Sequence, residues 1–313
     1  MNKFFVPIMK HIAIVVAAVL MLSGFSCFAE QNEELDLMIN EELDTGEWWN
    51  ILLLGTDSRD ITKYYGLTDT IVILSVNTRT NEVKLTSIMR DTWVHIYGKG
   101  EEKINAANSR GGPELVMRTV NEYFGMNISD YVLVGMEALA DIIDEIGGVE
   151  ISISEDEMKQ INTQLKYDAA EFELNHSEPL EIYGEDILLN GNQALAYARI
   201  RSIDSDYVRT ERQRNVLVAI VRKLQNEDVA SILSVVGTLL GYVNTNLTFS
   251  EVAMLSGIGL QVDLNAIEQM RLPADGTYTT TTENGQWSIR ADFDQNTDIL
   301  HEFIYGMPDE SKN

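Results

Sequence analysis

The sequence predicts a mixed α/β fold. Apolar runs such as WWNILLLGTD (48–57) have the length and composition of buried strands, whereas RTERQRNVLVAIVRKLQ (209–225) has the apolar period of an amphipathic helix. The strand-like and helix-like segments do not follow a regular βαβ period, and the chain has no internal repeat. With 313 residues it can bury a sizeable core, as one large domain or two smaller ones.

The N-terminus is predicted to be an export segment. Two lysines precede an apolar run from Ile12 to Ala29, and acidic residues follow at once. We expect residues 1–29 to be a signal-anchor that crosses the cell membrane once, with the rest of the chain outside the cytoplasm. The alternative is cleavage after Ala29, which gives a secreted protein. The single cysteine, Cys27, lies in this segment, so the folded part has no disulfide framework or cysteine nucleophile.

The first half of the chain alternates between strand and helix signals after an acidic linker (30–47). The predicted elements are strands at 48–57, 69–77 and 82–90, a helix at 111–125, and a strand, helix and strand within 131–151. The turn-like TRTN between the second and third strands predicts a hairpin. Pro113 suits the first turn of the helix and Gly125 its end.

The second half begins with an acidic, polar segment (152–186) that we expect to be a variable insert outside the core. The predicted elements that follow are helices at 190–199 and 209–225, further apolar helices within 231–262, strands within 267–293 and a closing helix at 296–306. Residues 308–313 are predicted to be a tail.

Five arginines lie in one stretch, YARIRSIDSDYVRTERQRN, although the chain carries a formal net charge of −26. That charge argues against nucleic-acid binding, because the phosphate backbone would be repelled by most of the surface. Arg199 and Arg201 point to one side of an extended segment, and Arg209, Arg212 and Gln213 are predicted to share one helix face. Arginine suits a diphosphate because its planar fork donates two parallel hydrogen bonds. The alternative is local ion pairing with neighbouring acids.

Two aspartates are candidate metal ligands. Asp57 ends the first predicted strand and Asp69 begins the next, so the two carboxylates can lie at one sheet edge. Mg²⁺ at a diphosphate is usually held by one or two carboxylates, phosphate oxygens and water. The alternative is that both are ordinary turn residues.

A third candidate is SIMRDTWV, where Arg90 and Asp91 end a predicted strand. The arginine can hold a phosphoryl oxygen, and the carboxylate can orient it or act as a base. The alternative is a strand-end salt bridge. The nearby Asn105 and Asn108 can bind or simply cap and turn the chain. No GxSxG, HExxH or GxxxxGK[ST] motif occurs, which argues against α/β-hydrolases, zincins and P-loop enzymes.

Six motifs in one order, NILLLGTDSR, GLTDTIVILSVN, SIMRDTWV, KINAA, NQALAYARIR and DYVRTERQR, resemble the LytR–CpsA–Psr family of cell-wall glycopolymer ligases. The resemblance implies one catalytic domain (48–307), an α/β/α sandwich with a mixed central sheet and a long apolar pocket for a polyprenyl chain. It also implies an enzyme, a phosphotransferase that joins an anionic glycopolymer from an undecaprenyl-diphosphate carrier to peptidoglycan through a phosphodiester.

The resemblance also carries roles to individual residues. Asp57 and Asp69 match the positions associated with Mg²⁺ (or Mn²⁺). Arg90 matches a diphosphate position and Asp91 the acidic position sometimes described as a base, so these two are the predicted catalytic residues. The remaining predicted diphosphate contacts are Arg59, Arg118, Arg199, Arg201, Arg209 and Gln213. Lys103 and Asn105 match motif positions to which no role is assigned.

Two other functions remain open from the sequence. The same site can hydrolyse a polyprenyl diphosphate, with water in place of the sugar hydroxyl. The protein can also be a non-catalytic binder of wall polymers or a regulator of wall assembly, although a binder does not need a metal site.

Overall fold

The computed structural model describes residues 35–43, 46–56, 66–172, 178–200, 203, 206–226 and 243–306. The predicted export segment (1–29) and tail (308–313) lie outside these residues. Within the described part, no helix is both long enough and apolar enough to cross a membrane.

The described part contains twelve strands and seven α-helices. The strands are β1 (Trp48–Thr56), β2 (Thr68–Asn77), β3 (Val83–Ile88), β4 (Trp93–Ile96), β5 (Gly100–Lys103), β6 (Asp130–Gly135), β7 (Val149–Ile153), β8 (Gly184–Leu189), β9 (Val243–Thr245), β10 (Glu268–Leu272), β11 (Tyr278–Glu283) and β12 (Gln286–Ala291). The helices are α1 (Ala106–Phe124), α2 (Met136–Glu145), α3 (Glu155–Phe172), α4 (Gly191–Ala198), α5 (Asp206–Gln225), α6 (Phe249–Gly259) and α7 (Phe293–Tyr305).

Six strands form a central mixed sheet in the order β10-β3-β2-β1-β6-β9. Strand β1 pairs antiparallel with β2 and parallel with β6. The end of β1 and the start of β2 therefore lie at the same edge of the sheet, where Gly55 pairs with Thr70 and Thr56 with Thr68. The predicted α/β fold with a mixed central sheet is confirmed.

Helices cover both faces of this sheet because its strand residues alternate in direction. On one face, Leu52 and Ile71 pack with Phe124 of α1 and Leu300 of α7 in a single buried cluster. A second cluster joins α2, β7, α3, β8, α4 and α5 and includes Val134 of β6 at its margin. The sheet therefore lies between two helical layers. Full burial of each such side chain stabilises this arrangement by about 1.5–3 kcal/mol.

Helix α4 approaches α2 closely at Gly191. A side-chain carbon at this position would lie 2.0 Å from the backbone oxygen of Ala140. The helix start is fixed by a capping box in which the side chain of Asn190 accepts from the backbone of Gln193, and by the Gly191 amide, which donates to Asp144 at 2.7 Å. The close packing of α4 against α2 is therefore possible only because residue 191 is a glycine, which has no side chain.

We expect Gly191→Ala to lower the free energy of unfolding by about 1–3 kcal/mol, because the added methyl group forces the two helices apart. Urea denaturation of wild type and variant measures the change. Gly257→Ala is the matched control, since its added carbon meets no atom within 4 Å. Equal midpoints for Gly191→Ala and wild type would contradict the close approach.

The structure differs from the sequence predictions in three regions. The segment predicted as an excursion (152–186) contains the 18-residue helix α3, which packs against α4. The short hairpin of β4 and β5 was not predicted. The predicted linker (30–47) is in part docked on the domain, because Leu35 and Leu37 pack against the core and the amide of Asn40 donates to the backbone oxygen of Met126.

Candidate active site

A pocket of about 170 Å³ lies between the sheet and the layer formed by α2, α4 and α5. Most of its walls are apolar, with Leu53 and Val132 on the sheet side and Leu139 and Leu195 on the helical side. Besides Thr70, four polar or charged side chains also line it, namely Asp69, Arg199, Arg209 and Gln213. All four belong to the predicted site, so the structure brings together these residues from β2, α4 and α5.

One face of α5 changes from polar to apolar along the pocket. Arg209, Gln213, Val216 and Leu217 all line it, at the spacing of residues on one side of a helix. Arg209 lies in the first turn and is only 1% exposed. A helix N-terminus also favours anions through its free amides and the helix dipole. The pocket therefore has a charged end whose arginines are suited to an anion, and its apolar part begins about one turn further along α5.

Arg199 enters the same end from the C-terminus of α4, where it occupies the capping position. A positive side chain is favourable there because the helix dipole is negative at this end. Its Nη1 lies 3.2 Å from Oδ2 and 3.4 Å from Oδ1 of Asp168 in α3. Arg199 is thus ion-paired, but with an acid 31 residues earlier in the chain, outside the stretch to which the local ion-pairing alternative referred.

Arg90 and Asp91 lie beside Asp69 in a chain of alternating charges. Arg90 Nη1 donates to Asp69 Oδ1, and Arg90 Nε lies 3.4 Å from Asp91 Oδ2. The other oxygen of Asp91 accepts from Lys103 Nζ at 2.6 Å. Asp91 is buried and its side chain faces these two cations. Of the two roles suggested for Asp91 by the sequence, orienting Arg90 fits these contacts better than acting as a base.

The backbone of Asn105 joins the start of β2, which carries Asp69, to the turn after β3, which carries Arg90 and Asp91. Its carbonyl accepts from the Thr68 amide at 3.1 Å, and its own amide donates to the Arg90 carbonyl at 3.3 Å. Its side chain makes no capping bond at the start of α1. The neighbouring Asn108 donates to the Gly66 carbonyl at 2.8 Å. Both asparagines therefore shape the loops around Asp69.

Two arginines do not lie where they were predicted. Arg118 is on α1, which covers the sheet face opposite the pocket, and its guanidinium carbon lies 3.9 Å from the ring centroid of Tyr97. It also donates to the Asp36 carbonyl, so it fixes the N-terminal segment and the structure does not bring it to the pocket. Arg212 does not share the pocket face of α5, because its Nε donates to Glu157 of α3 at 2.8 Å.

Three predicted site residues, Asp57, Arg59 and Arg201, lie outside the described residues. Within the described part, no three His, Cys, Asp or Glu side chains are close enough together to hold a metal ion by themselves. Asp69 supplies one carboxylate at the charged end of the pocket. A site built from one or two carboxylates with phosphate oxygens and water is the arrangement that Mg²⁺ prefers, so the donor type fits.

The arrangement of motifs and fold has a match among known protein families. Residues 26–302 match the LytR_cpsA_psr family model. The chain belongs to the LytR–CpsA–Psr family. The resemblance seen in the sequence motifs is thus confirmed over most of the chain.

Named members of the LytR–CpsA–Psr family are similar in sequence and in structure. One from Bacillus licheniformis, named polyisoprenyl-teichoic acid–peptidoglycan teichoic acid transferase TagU, is 29% identical over 265 residues, which are 83% of this chain and 78% of the relative. A structure described as TagT bound to LI-WTA is 25% identical, with a TM-score of 0.67 over 88% of this chain and 93% of that one.

A second structure, described as LytR-CPS2A-psr family protein YwtF (TagT) with bound octaprenyl pyrophosphate lipid, is 23% identical with a TM-score of 0.63. The match covers 88% of this chain and 94% of that chain. At this identity the likeness concerns the fold, which agrees with the three-layer architecture described above.

Proposed function

We propose that this protein is an extracytoplasmic phosphotransferase that moves an anionic glycopolymer from a polyprenyl-diphosphate carrier to peptidoglycan. The observation that carries this proposal is one pocket with two chemical environments, apolar walls and a charged end formed by Asp69, Arg199, Arg209 and Gln213. A polyprenyl diphosphate has the same division between an apolar chain and an anionic head. The names of the TagU relatives support the reaction and the acceptor.

The proposed reaction is a displacement at phosphorus. A sugar hydroxyl of peptidoglycan attacks the phosphorus nearer the glycopolymer, the new phosphodiester P–O bond forms, and the bond to the bridging oxygen breaks. Polyprenyl phosphate leaves with that oxygen, and the hydroxyl proton passes to solvent or a base. Arg199 and Arg209 stabilise the negative charge on the phosphoryl oxygens, and Gln213 donates a hydrogen bond without charge.

Asp57 and Asp69 are the residues that would hold Mg²⁺ (or Mn²⁺). The ion would neutralise charge on the diphosphate and orient it. Arg90 contacts Asp69, Asp91 pairs with Arg90, and Lys103 donates to Asp91. These three residues fix the direction of the Asp69 carboxylate at the charged end of the pocket.

The proposed location is the outer face of the cell membrane. The substrate is carried by a membrane lipid, so a single-pass anchor at residues 1–29 would keep the pocket close to it. Secretion after cleavage at Ala29 would separate the enzyme from its carrier. N-terminal sequencing of the membrane fraction distinguishes the two, because a chain that begins at residue 30 would contradict the anchor.

The function is tested by product analysis. The full chain in detergent is incubated with Mg²⁺, a polyprenyl-diphosphate glycan and peptidoglycan fragments, and the products are read by mass spectrometry. Glycan joined to the fragment through phosphate supports the transferase. Free glycan phosphate alone supports a hydrolase, and binding without cleavage supports a non-catalytic binder.

The apolar part of the pocket is tested at Leu217. We expect Leu217→Glu to raise KM for a long-chain polyprenyl diphosphate at least about tenfold, because a carboxylate beside the lipid chain must be desolvated. The side chain is only half-buried, so the fold should tolerate the change. The inhibition constant of inorganic diphosphate serves as the internal control, since this competitor does not reach the apolar walls and should bind the variant as it binds wild type. A KM equal to wild type for the long-chain substrate would show that the lipid lies elsewhere.

A further inference from the structure

We propose that Asp168 of α3 is a positioning residue that holds Arg199 in the direction in which it binds the diphosphate. This inference rests on the proposed function. It assigns a role to the segment 152–186, which matches none of the sequence motifs and was expected to lie outside the core.

The contact between Asp168 and Arg199 uses only one of the three guanidinium nitrogens. Both carboxylate oxygens approach Nη1, at 3.2 and 3.4 Å, whereas Nε and Nη2 make no hydrogen bond to any residue that the structure describes. A carboxylate that competed with phosphate would take two nitrogens in a bidentate pair. The observed contact instead leaves two nitrogens available to phosphoryl oxygens.

Asp168 is itself held in place. Its side chain is only 13% exposed, and its Oδ1 accepts from the side-chain amide of Gln164, one turn earlier in α3, at 2.8 Å. Helix α3 packs against α4, the helix that ends at Arg199. A fixed carboxylate on a packed helix restricts the long arginine side chain to few rotamers, which lowers the entropy cost of binding phosphate.

The same helix makes a second ion pair with a different character. Glu157 accepts from Arg212 Nε at 2.8 Å, and the Arg212 side chain is only 3% exposed and does not line the pocket. The Arg199 side chain is 31% exposed and does line it. Glu157 thus ties α3 to α5, whereas Asp168 contacts an arginine that lines the pocket. The segment 152–186 therefore contributes to both the fold and the site.

The test is a double-mutant cycle on the full chain in detergent, with farnesyl diphosphate and Mg²⁺ as the probe and calorimetry as the readout. We expect Asp168→Ala to raise Kd about tenfold, the loss of one charge-assisted contact. We expect Asp168→Asn to lie between wild type and Asp168→Ala, because the amide oxygen still accepts from Nη1. In the Arg199→Ala background, Asp168→Ala should change Kd by less than about twofold.

A purely structural role for Asp168 would not produce this coupling to Arg199. Asp156→Asn is the matched control, since Asp156 lies on the same helix about 18 Å away along its axis and pairs only with the exposed Lys159 among the described residues. An unchanged or lower Kd for Asp168→Ala, or an equal effect in the Arg199→Ala background, would overturn the proposal. If Asp168→Ala does not fold, an unchanged Kd for Asp168→Asn overturns it.

The outcomes also separate this inference from the proposed function. If wild type and the Asp168 variants bind farnesyl diphosphate with equal Kd, only the positioning role is overturned. Wild type that does not bind farnesyl diphosphate at all overturns both.

Discussion

Arg209→Ala is expected to lower kcat/KM for polymer transfer by about 10²–10³-fold, the usual cost of removing one donor that stabilises charge in a transition state. Arg209 lies in the first turn of α5, is almost fully buried and lines the charged end of the pocket. A guanidinium in this position is screened little by water, so its charge acts strongly on the diphosphate. Transfer is measured with the mass-spectrometric assay at several substrate concentrations.

Two further variants test whether the loss of kcat/KM in Arg209→Ala is due to the position of Arg209 in the pocket. Arg222→Ala removes an exposed arginine from the last turn of the same helix and should retain activity. Arg209→Lys keeps the charge but loses the planar fork, so we expect activity between alanine and wild type. Wild-type kcat/KM for Arg209→Ala, with an unchanged melting temperature, would remove Arg209 from the proposed mechanism.

The parts of the fold that were predicted from the sequence depend on local signals. Strand β1 was predicted to within one residue because an apolar run ends at Gly55 and Thr56. The end of α1 was predicted because Gly125 adopts the left-handed conformation that closes a helix. The predicted start with Pro113 in the first turn is also found, because Gly111 and Gly112 have non-helical backbone angles and a new helical run follows them. What the sequence did not predict is the preceding helical run from Ala106, which α1 includes before this break.

The parts of the site that could not be predicted depend on contacts between distant segments. The spacing of Arg209 and Gln213 placed them on one helix face, and the structure agrees. The same spacing included Arg212, whose direction is decided by Glu157, 55 residues earlier. Asp168 carries no motif and lies in the acidic segment (152–186) that was expected to be outside the core. Only the packing of α3 against α4 brings it to Arg199.

Asp69→Asn is expected to lower turnover by about 10²-fold and to raise the Mg²⁺ concentration needed for half-maximal activity at least about tenfold. An amide oxygen is a weaker ligand for Mg²⁺ than a carboxylate, and the change removes a charge that balances Arg90. The fold should be retained because the amide keeps the shape of Asp69 and its oxygen still accepts from Arg90. A magnesium titration of transfer, with melting temperatures alongside, measures both effects.

The matched control is Asp275→Asn, which alters another aspartate–arginine pair, with Arg271, where the carboxylate is exposed. If Asp69 acts only as the partner of Arg90, then Asp69→Asn would lower turnover without shifting the magnesium titration. If Asp69 is a metal ligand, the titration shifts and high Mg²⁺ restores part of the activity. The contact between Asp69 and Arg90 is compatible with both roles, and the magnesium titration distinguishes them. An unshifted titration would remove Asp69 from the proposed metal site.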